Sequence, residues 1–172
     1  MDAGRINGVL FLDLCKAFDT VDHAILIKKL SNYGIQDKAL EWFKSYLFNR
    51  EQYCKVNRAT SSPRKLNCGV PQGSNLGPLL FLIYVNDLPN CLENSHAAMY
   101  ADDTNITVGS DGLNNLEKTL NHEMSNIHQW LVSNKLTLNV EKTEYMVIGT
   151  HKRLSRFSQD ITVSIDGKVI KQ

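Results

Sequence analysis

The sequence predicts an α+β fold, with antiparallel strands backed by helices on one face. Three observations carry that prediction. Short β-branched and aromatic runs flank a candidate hairpin at residues 97–108, and an apolar stripe from Leu113 to Leu131 recurs at spacings of three and four. The elements also follow the order β, α, α, strand and loop, α, β, β, α, then strands.

Taken in order, Val9-Leu-Phe-Leu12 is a short apolar run ending in Asp13, which predicts a strand buried on both faces with a carboxylate at its end. Asp22 is placed to cap a helix through Ile25, Leu26, Leu30 and Tyr33, and Gly34 suits the position just past its end. Asp37 begins a second helix whose apolar face is Leu40, Phe43 and Leu47. Tyr53–Val56 predicts a strand and Thr60–Pro63 a loop. Cys68-Gly-Val-Pro-Gln-Gly-Ser-Asn-Leu-Gly-Pro78 is a glycine- and proline-rich connector into a buried helix, Leu79–Val85, with Pro78 in its first turn and Pro89 limiting its far end.

Ala97–Ala101 and Thr104–Val108 then read as strands, with Asp102 and Asp103 in a tight turn between them. The stripe of Leu113, Leu116, Leu120, Met124, Ile127 and Leu131 predicts an amphipathic core helix. Beyond it come Lys135–Lys142, a strand at Tyr145–Ile148, a basic stretch at His151–Arg153 and Arg156, and a hairpin turning at Asp166-Gly167. There is no internal repeat and no low-complexity segment.

At 172 residues, 42% hydrophobic and 22% charged, the chain has the composition of one globular domain rather than a disordered one. It contains no apolar run of membrane-spanning length and no signal-peptide pattern at Met1, so an intracellular, nuclear or cytoplasmic protein is expected. Cys15, Cys54, Cys68 and Cys91 have no zinc-like spacing and read as reduced structural thiols. The net charge of +1 does not announce a nucleic-acid binder, but its distribution is uneven. Lys44, Arg50, Lys55, Arg58, Arg64 and Lys65 stand against one acid, Glu51, a pattern that suits either a phosphate backbone or a solvated loop. Asp87, Glu93, Asp111, Glu117 and Glu123 make the surroundings of the Asp pair acidic, which would attract divalent cations.

Adjacent residues on a strand face opposite ways, so Asp102 and Asp103 share a face only if the chain turns there. A solvated turn explains them, because aspartate satisfies turn amides. A metal site explains them if a third carboxylate joins: Asp13, at the end of another central strand, could bridge the ions with Asp102, and Asp103 would complete or tune the site. Nucleotidyl transfer needs that arrangement: two Mg²⁺ ions roughly 3.5–4 Å apart, bridged by carboxylates, stabilise charge on the reacting phosphate. Mg²⁺ takes hard oxygen ligands and substrate phosphates, so no histidine is required.

Four segments resemble successive palm motifs of reverse transcriptases, most nearly those of jockey- and CR1-like retrotransposons without long terminal repeats. They are Phe11-Leu-Asp-Leu-Cys-Lys-Ala-Phe-Asp-Thr-Val-Asp-His23, Gly69-Val-Pro-Gln-Gly-Ser-Asn-Leu-Gly-Pro-Leu-Leu-Phe81, Tyr100-Ala-Asp-Asp103 and Asn134-Lys-Leu-Thr-Leu-Asn-Val-Glu-Lys-Thr143. Their order and spacing, from Phe11 to Thr143, carry the resemblance. It implies a polymerase palm with a partial fingers segment: residues 1–21 and 67–150 mainly palm, 22–66 partial fingers and connecting helices, 151–172 the start of a C-terminal hairpin region. It also implies an RNA-directed DNA polymerase acting on an RNA template, a DNA primer and deoxynucleoside triphosphates, with two Mg²⁺ ions that Mn²⁺ can replace.

The resemblance further implies residue roles. Asp13, Asp102 and Asp103 would bind metal. Phe18, otherwise an ordinary core aromatic, would lie under the incoming sugar and clash with a ribose 2′-hydroxyl. Gln72 and Gly73, otherwise a turn leading into a helix, would lie near the incoming nucleotide and template. Lys142, otherwise a surface lysine, would serve the leaving pyrophosphate as general acid or charge clamp. Asp19 and Asp22 read as local caps rather than ligands, and the five histidines show no catalytic pairing.

The chain departs from the family at both ends. Basic finger strands are expected before Asp13, where only Arg5 stands, and a primer-gripping hairpin and helical thumb are expected after Gln172. An inactive remnant acting at most as a binding module is therefore the alternative to an active polymerase.

Overall fold

The computed structural model describes residues 5–155 and 161–172. Its elements are β1 (Ile6–Leu12), α1 (His23–Asn32), α2 (Asp37–Leu47), β2 (Glu51–Gln52), β3 (Lys55–Val56), β4 (Ala59–Thr60), β5 (Arg64–Lys65), α3 (Leu76–Val85), β6 (His96–Tyr100), β7 (Asp103–Ser110), α4 (Leu113–Ser133), β8 (Glu144–Ile148), α5 (His151–Leu154), β9 (Ser164–Ile165) and β10 (Lys168–Val169). Short 3-10 turns occupy Ala17–Asp19 and Leu88–Cys91. The mixed, antiparallel architecture is the one expected, and Arg156 of the basic stretch lies outside the described residues.

The chain forms two compact units, one made of residues 1–15 and 87–172 and the other of 16–86. In the first, an antiparallel sheet runs β6-β7-β1-β8. The register is set by alternation: Ile6, Leu10 and Leu12 of β1 and Thr104, Ile106 and Val108 of β7 are buried on the side of α4. Leu116, Leu120, Met124, Ile127 and Leu131 of α4 supply the facing stripe, each worth about 1.5–3 kcal/mol when buried. α4 approaches closely because β1 carries Gly8, where a Cβ would stand 2.9 Å from Leu120 and 3.0 Å from Leu116. A two-residue turn at Asp166-Gly167 joins β9 to β10, as the sequence predicts.

Two expectations for this unit are corrected. β1 is not buried on both faces: Val9 is half-buried and Phe11 38% exposed, because helices cover only one side of an antiparallel sheet. The acidic residues around the Asp pair do not gather into a cation pocket. Glu93, Asp111, Glu117 and Glu123 engage partners of their own, Glu123 most fully: it is fully buried, and its carboxylate accepts the amides of Glu93 and Asn94. Glu93 meets His122, Asp111 meets Arg5, and Glu117 accepts the Thr162 amide.

The second unit packs α1 against α2 and α3 around Val21, Leu26, Leu30, Leu47, Leu80, Phe81 and Tyr84. Asp22 caps α1 as expected, its Oδ1 accepting from Ile25 N at 3.0 Å, and Gly34 follows the helix. α3 is buried along Gly77, Leu80, Phe81, Tyr84 and Val85, whereas Leu79 and Leu82 are exposed, so it is covered on one side only. The strand expected at Tyr53–Val56 is broken instead into two small ladders, β2 with β5 and β3 with β4, and Thr60 lies in a strand rather than a loop. All eight ladder residues are exposed, so no buried face holds a longer strand in register.

Candidate active site

The alternation that buries Leu10, Leu12, Thr104 and Ile106 sends their neighbours to the open side of the sheet. Leu12 pairs with Thr104, so Asp13 and Asp103 both stand at the end of the β1–β7 ladder. They line one pocket of about 380 Å³ together with Phe11, Asn105 and Lys142. The convergence of Asp13 with one member of the Asp pair therefore comes directly from strand pairing.

Asp102 has a different position. Tyr100 pairs with Asp103, so the two-residue turn is Ala101-Asp102 and Asp103 already belongs to β7. The turn lies one residue earlier than expected, and Ala101 takes the positive φ of 54° that it needs. A turn at Asp102-Asp103 would have moved Thr104, Ile106 and Val108 in register against β6. Asp102 is exposed and is not among the residues lining the pocket.

Lys142 reaches the pocket on a segment sewn to the end of β1. Asn139 N donates to Asp13 O at 2.8 Å and Cys15 N to Thr137 O at 2.8 Å. The buried Thr143 hydroxyl donates to Asn139 O at 2.9 Å and accepts from the Asp13 amide at 3.4 Å. Asn139 and Thr143 thus hold the backbone of Asp13 from the segment that carries Lys142. Both lie in the Asn134–Thr143 motif that the sequence offers, but nothing in the motif assigns either a role.

Among the described residues no group of three or more His, Cys, Asp or Glu side chains is gathered for an ion. Two hard carboxylates do open on one pocket, which suits Mg²⁺, an ion that takes one or two carboxylates and completes its shell with water and substrate phosphate.

In the second unit, Phe18 lies in the 3-10 turn and packs on Phe81, ring centroids 4.6 Å apart. Gln72 is exposed, and its Nε2 donates to Asp19 Oδ1 at 2.8 Å. Gly73 takes a φ of +78° with open space where a Cβ would be, so conformation rather than crowding calls for glycine there. Asp19 and Gln72 border a cavity of about 900 Å³ whose rim also carries Arg50, Tyr53 and Lys65. The cations of residues 50–65 are thus on the surface, and two of them share a cavity with Gln72.

The sequence matches the family described as reverse transcriptase (RNA-dependent DNA polymerase) over residues 2–165. The chain belongs to the reverse transcriptase family. Among its relatives is the probable RNA-directed DNA polymerase from transposon BS of Drosophila melanogaster, 34% identical over 148 residues, covering 78% of this chain and 16% of that protein. The RNA-directed DNA polymerase from mobile element jockey of the same species is 29% identical over 168 residues, covering 94% of this chain and 18% of that one. The chain thus spans less than a fifth of the length of these reverse transcriptases.

Telomerase from Candida albicans, solved in complex with a fragment of telomeric RNA, shares the fold. Its TM-score is 0.63 at 15% identity, covering 95% of this chain and 29% of the telomerase chain. Telomerase from Candida tropicalis matches equally, with a TM-score of 0.63. The expected family, its retrotransposon kinship and its mixed architecture all hold.

Proposed function

We propose that the chain is part of an RNA-directed DNA polymerase of a non-LTR retrotransposon, adding deoxynucleotides to a primer 3′-hydroxyl on an RNA template. The observation that carries this reading is a pocket that Asp13, Asp103 and Lys142 line together, in a chain of the reverse transcriptase family. We read residues 1–172 as one partial domain, with 1–21 and 67–150 mainly palm, 22–66 partial fingers and 151–172 the start of a C-terminal hairpin region.

Asp13 and Asp103 would hold Mg²⁺ or Mn²⁺, with Asp102 joining from the adjoining turn. Such ions, when bound, activate the attacking hydroxyl and neutralise charge on the phosphates. The primer 3′-oxygen bonds to the α-phosphorus and the bond to pyrophosphate breaks. Lys142, in the carboxylate pocket, gives the leaving pyrophosphate a proton or a charge partner. Phe18 excludes a ribose 2′-hydroxyl, Gln72 and Gly73 meet the incoming nucleotide, and the half-buried Arg50 and exposed Lys65 follow phosphate. No helix among the described residues is long and apolar enough to cross a membrane, and we assign the activity to the nucleus or cytoplasm, where RNA templates are found.

Primer extension on an RNA template with deoxynucleotides and Mg²⁺ or Mn²⁺, comparing the purified chain with Asp102→Asn and Asp13→Asn, tests the proposal. Extension by the wild type alone supports it. A folded chain that does not extend the primer supports the second reading, a binding module without catalysis.

A further inference from the structure

We propose that Asp19 is a positioning residue, whose carboxylate fixes the Gln72 carboxamide so that the loop offers one set amide orientation to an incoming deoxynucleotide. This inference rests on the reading that Phe18 and Gln72 meet that nucleotide.

Gln72 is exposed and has three side-chain torsions, so without a partner it would sample many orientations. Asp19 removes that freedom: Nε2 is committed to its Oδ1 at 2.8 Å, which leaves Oε1 and the second amide hydrogen to face a ligand. The acceptor is itself held. Asp19 N donates to Lys16 O at 2.8 Å within the 3-10 turn, and Gly69 packs so closely that a Cβ there would stand 2.9 Å from Asp19 O.

The loop and the turn are joined at further points. Gly69 N donates to Val21 O at 2.8 Å and Val70 N to Phe18 O at 2.9 Å. The buried His23 lies with Nε2 2.8 Å from Gly69 O. A carbonyl can only accept, so Nε2 carries the hydrogen and donates. The Phe48 ring meets the His23 ring edge to face, with centroids 5.4 Å apart. Phe18 and Gln72, more than fifty residues apart in sequence, are therefore parts of one hydrogen-bonded piece, in which Asp19 to Gln72 is a bond from side chain to side chain. Both of these residues border the cavity that holds Arg50 and Lys65, cations suited to the phosphates of the same ligand.

The test is calorimetric titration of the chain with dATP and with ATP, each with Mg²⁺, for the wild type, Phe18→Ala, Asp19→Ala, Asp19→Asn, Gln72→Ala and the Asp19→Ala/Gln72→Ala double variant. Loss of one fixed side chain weakens dATP binding by about two- to tenfold. Asp19→Ala and Gln72→Ala are expected to lose the same factor and the double variant no more than either, because both break one link. Asp19→Asn keeps an acceptor oxygen and recovers most of the affinity. The preference for dATP over ATP falls in Asp19→Ala, a change that a purely structural role would not produce.

Wild-type dATP affinity in Asp19→Ala, alongside weakened binding by Gln72→Ala, overturns the positioning role and leaves the nucleotide reading standing. Unchanged binding by both Phe18→Ala and Gln72→Ala, or no dATP binding by the wild type, overturns the nucleotide reading and the inference with it.

Discussion

Gly69→Ala should be among the costliest single-methyl additions in the second unit, and its cost can be worked from the geometry. Gly69 has a φ of +84°, a region that costs an L-residue about 1–2 kcal/mol. The added Cβ would stand 2.9 Å from Asp19 O, 3.0 Å from its Cα and 3.1 Å from its carbonyl carbon, all backbone atoms. Backbone anchored by the Asp19–Lys16 hydrogen bond cannot swing away as a side-chain tip would, so overpacking adds about 1–3 kcal/mol. The sum is about 2–5 kcal/mol. Gly73→Ala is the internal control: its φ of +78° is similar, yet nothing lies within 4 Å of the new methyl, so only the 1–2 kcal/mol of strain applies. Urea unfolding followed by circular dichroism measures both, and thermal midpoints should fall by roughly 2–4 °C for each kcal/mol. Equal losses in the two variants, within about 0.5 kcal/mol, would refute the close packing of the loop on the Phe18–Asp19 turn.

Three further outcomes follow from the geometry. Glu123→Ala strips the Glu93 and Asn94 amides of their acceptor and should cost about 2–4 kcal/mol by urea unfolding, whereas Glu123→Gln, which keeps one oxygen, should cost clearly less. Thr143→Val keeps the shape but breaks the links to Asp13 and Asn139, for an expected loss of about 1–2 kcal/mol, while Thr143→Ser stays within about 0.5 kcal/mol of the wild type; equal stability of the two would remove the anchoring role. Burial pushes the Cys91 thiol above its ordinary value, with the Glu123 and Asp87 carboxylates adding to it. At pH 8 iodoacetamide should therefore modify the exposed Cys54 and Cys68 before Cys91. The same shift makes the unfolded chain ionise at Cys91 first, so stability should decline as pH rises from the ordinary thiol range through the folded-state value, and Cys91→Ala should flatten that decline.

What could be seen in the sequence was what repeats or punctuates. The stripe from Leu116 to Leu131, the cap at Asp22 and the turn at Asp166-Gly167 all follow local rules, and each forms where expected. Asp13, Asp102 and Asp103 could be picked out because the first ends an apolar run and the other two lie at a hairpin turn. The one-residue shift of that hairpin could not, since the register depends on Thr104, Ile106 and Val108 finding α4. Val9–Leu12 looked doubly buried because four apolar residues in a row do not disclose that one sheet face is uncovered. The acid cluster misled for a related reason: composition counts charges but not their partners, and Glu123 is committed to backbone amides. The Asp19–Gln72 link crosses 53 positions, beyond the reach of any local pattern.

The place of β1 in its sheet bears on how the molecule comes into being. Ile6–Leu12 is made before its two neighbours, Asp103–Ser110 and Glu144–Ile148, with the whole of residues 16–86 synthesised in between. At roughly 5–20 residues per second a ribosome takes on the order of ten seconds to deliver the first of those neighbours. During that interval an apolar strand waits without a ladder, while residues 16–86 have already been made and can close around their own contacts. Folding of the sheet is thereby tied to late translation, and the nascent chain depends on chaperones or on speed to keep Val9-Leu-Phe-Leu12 from pairing with the wrong edge.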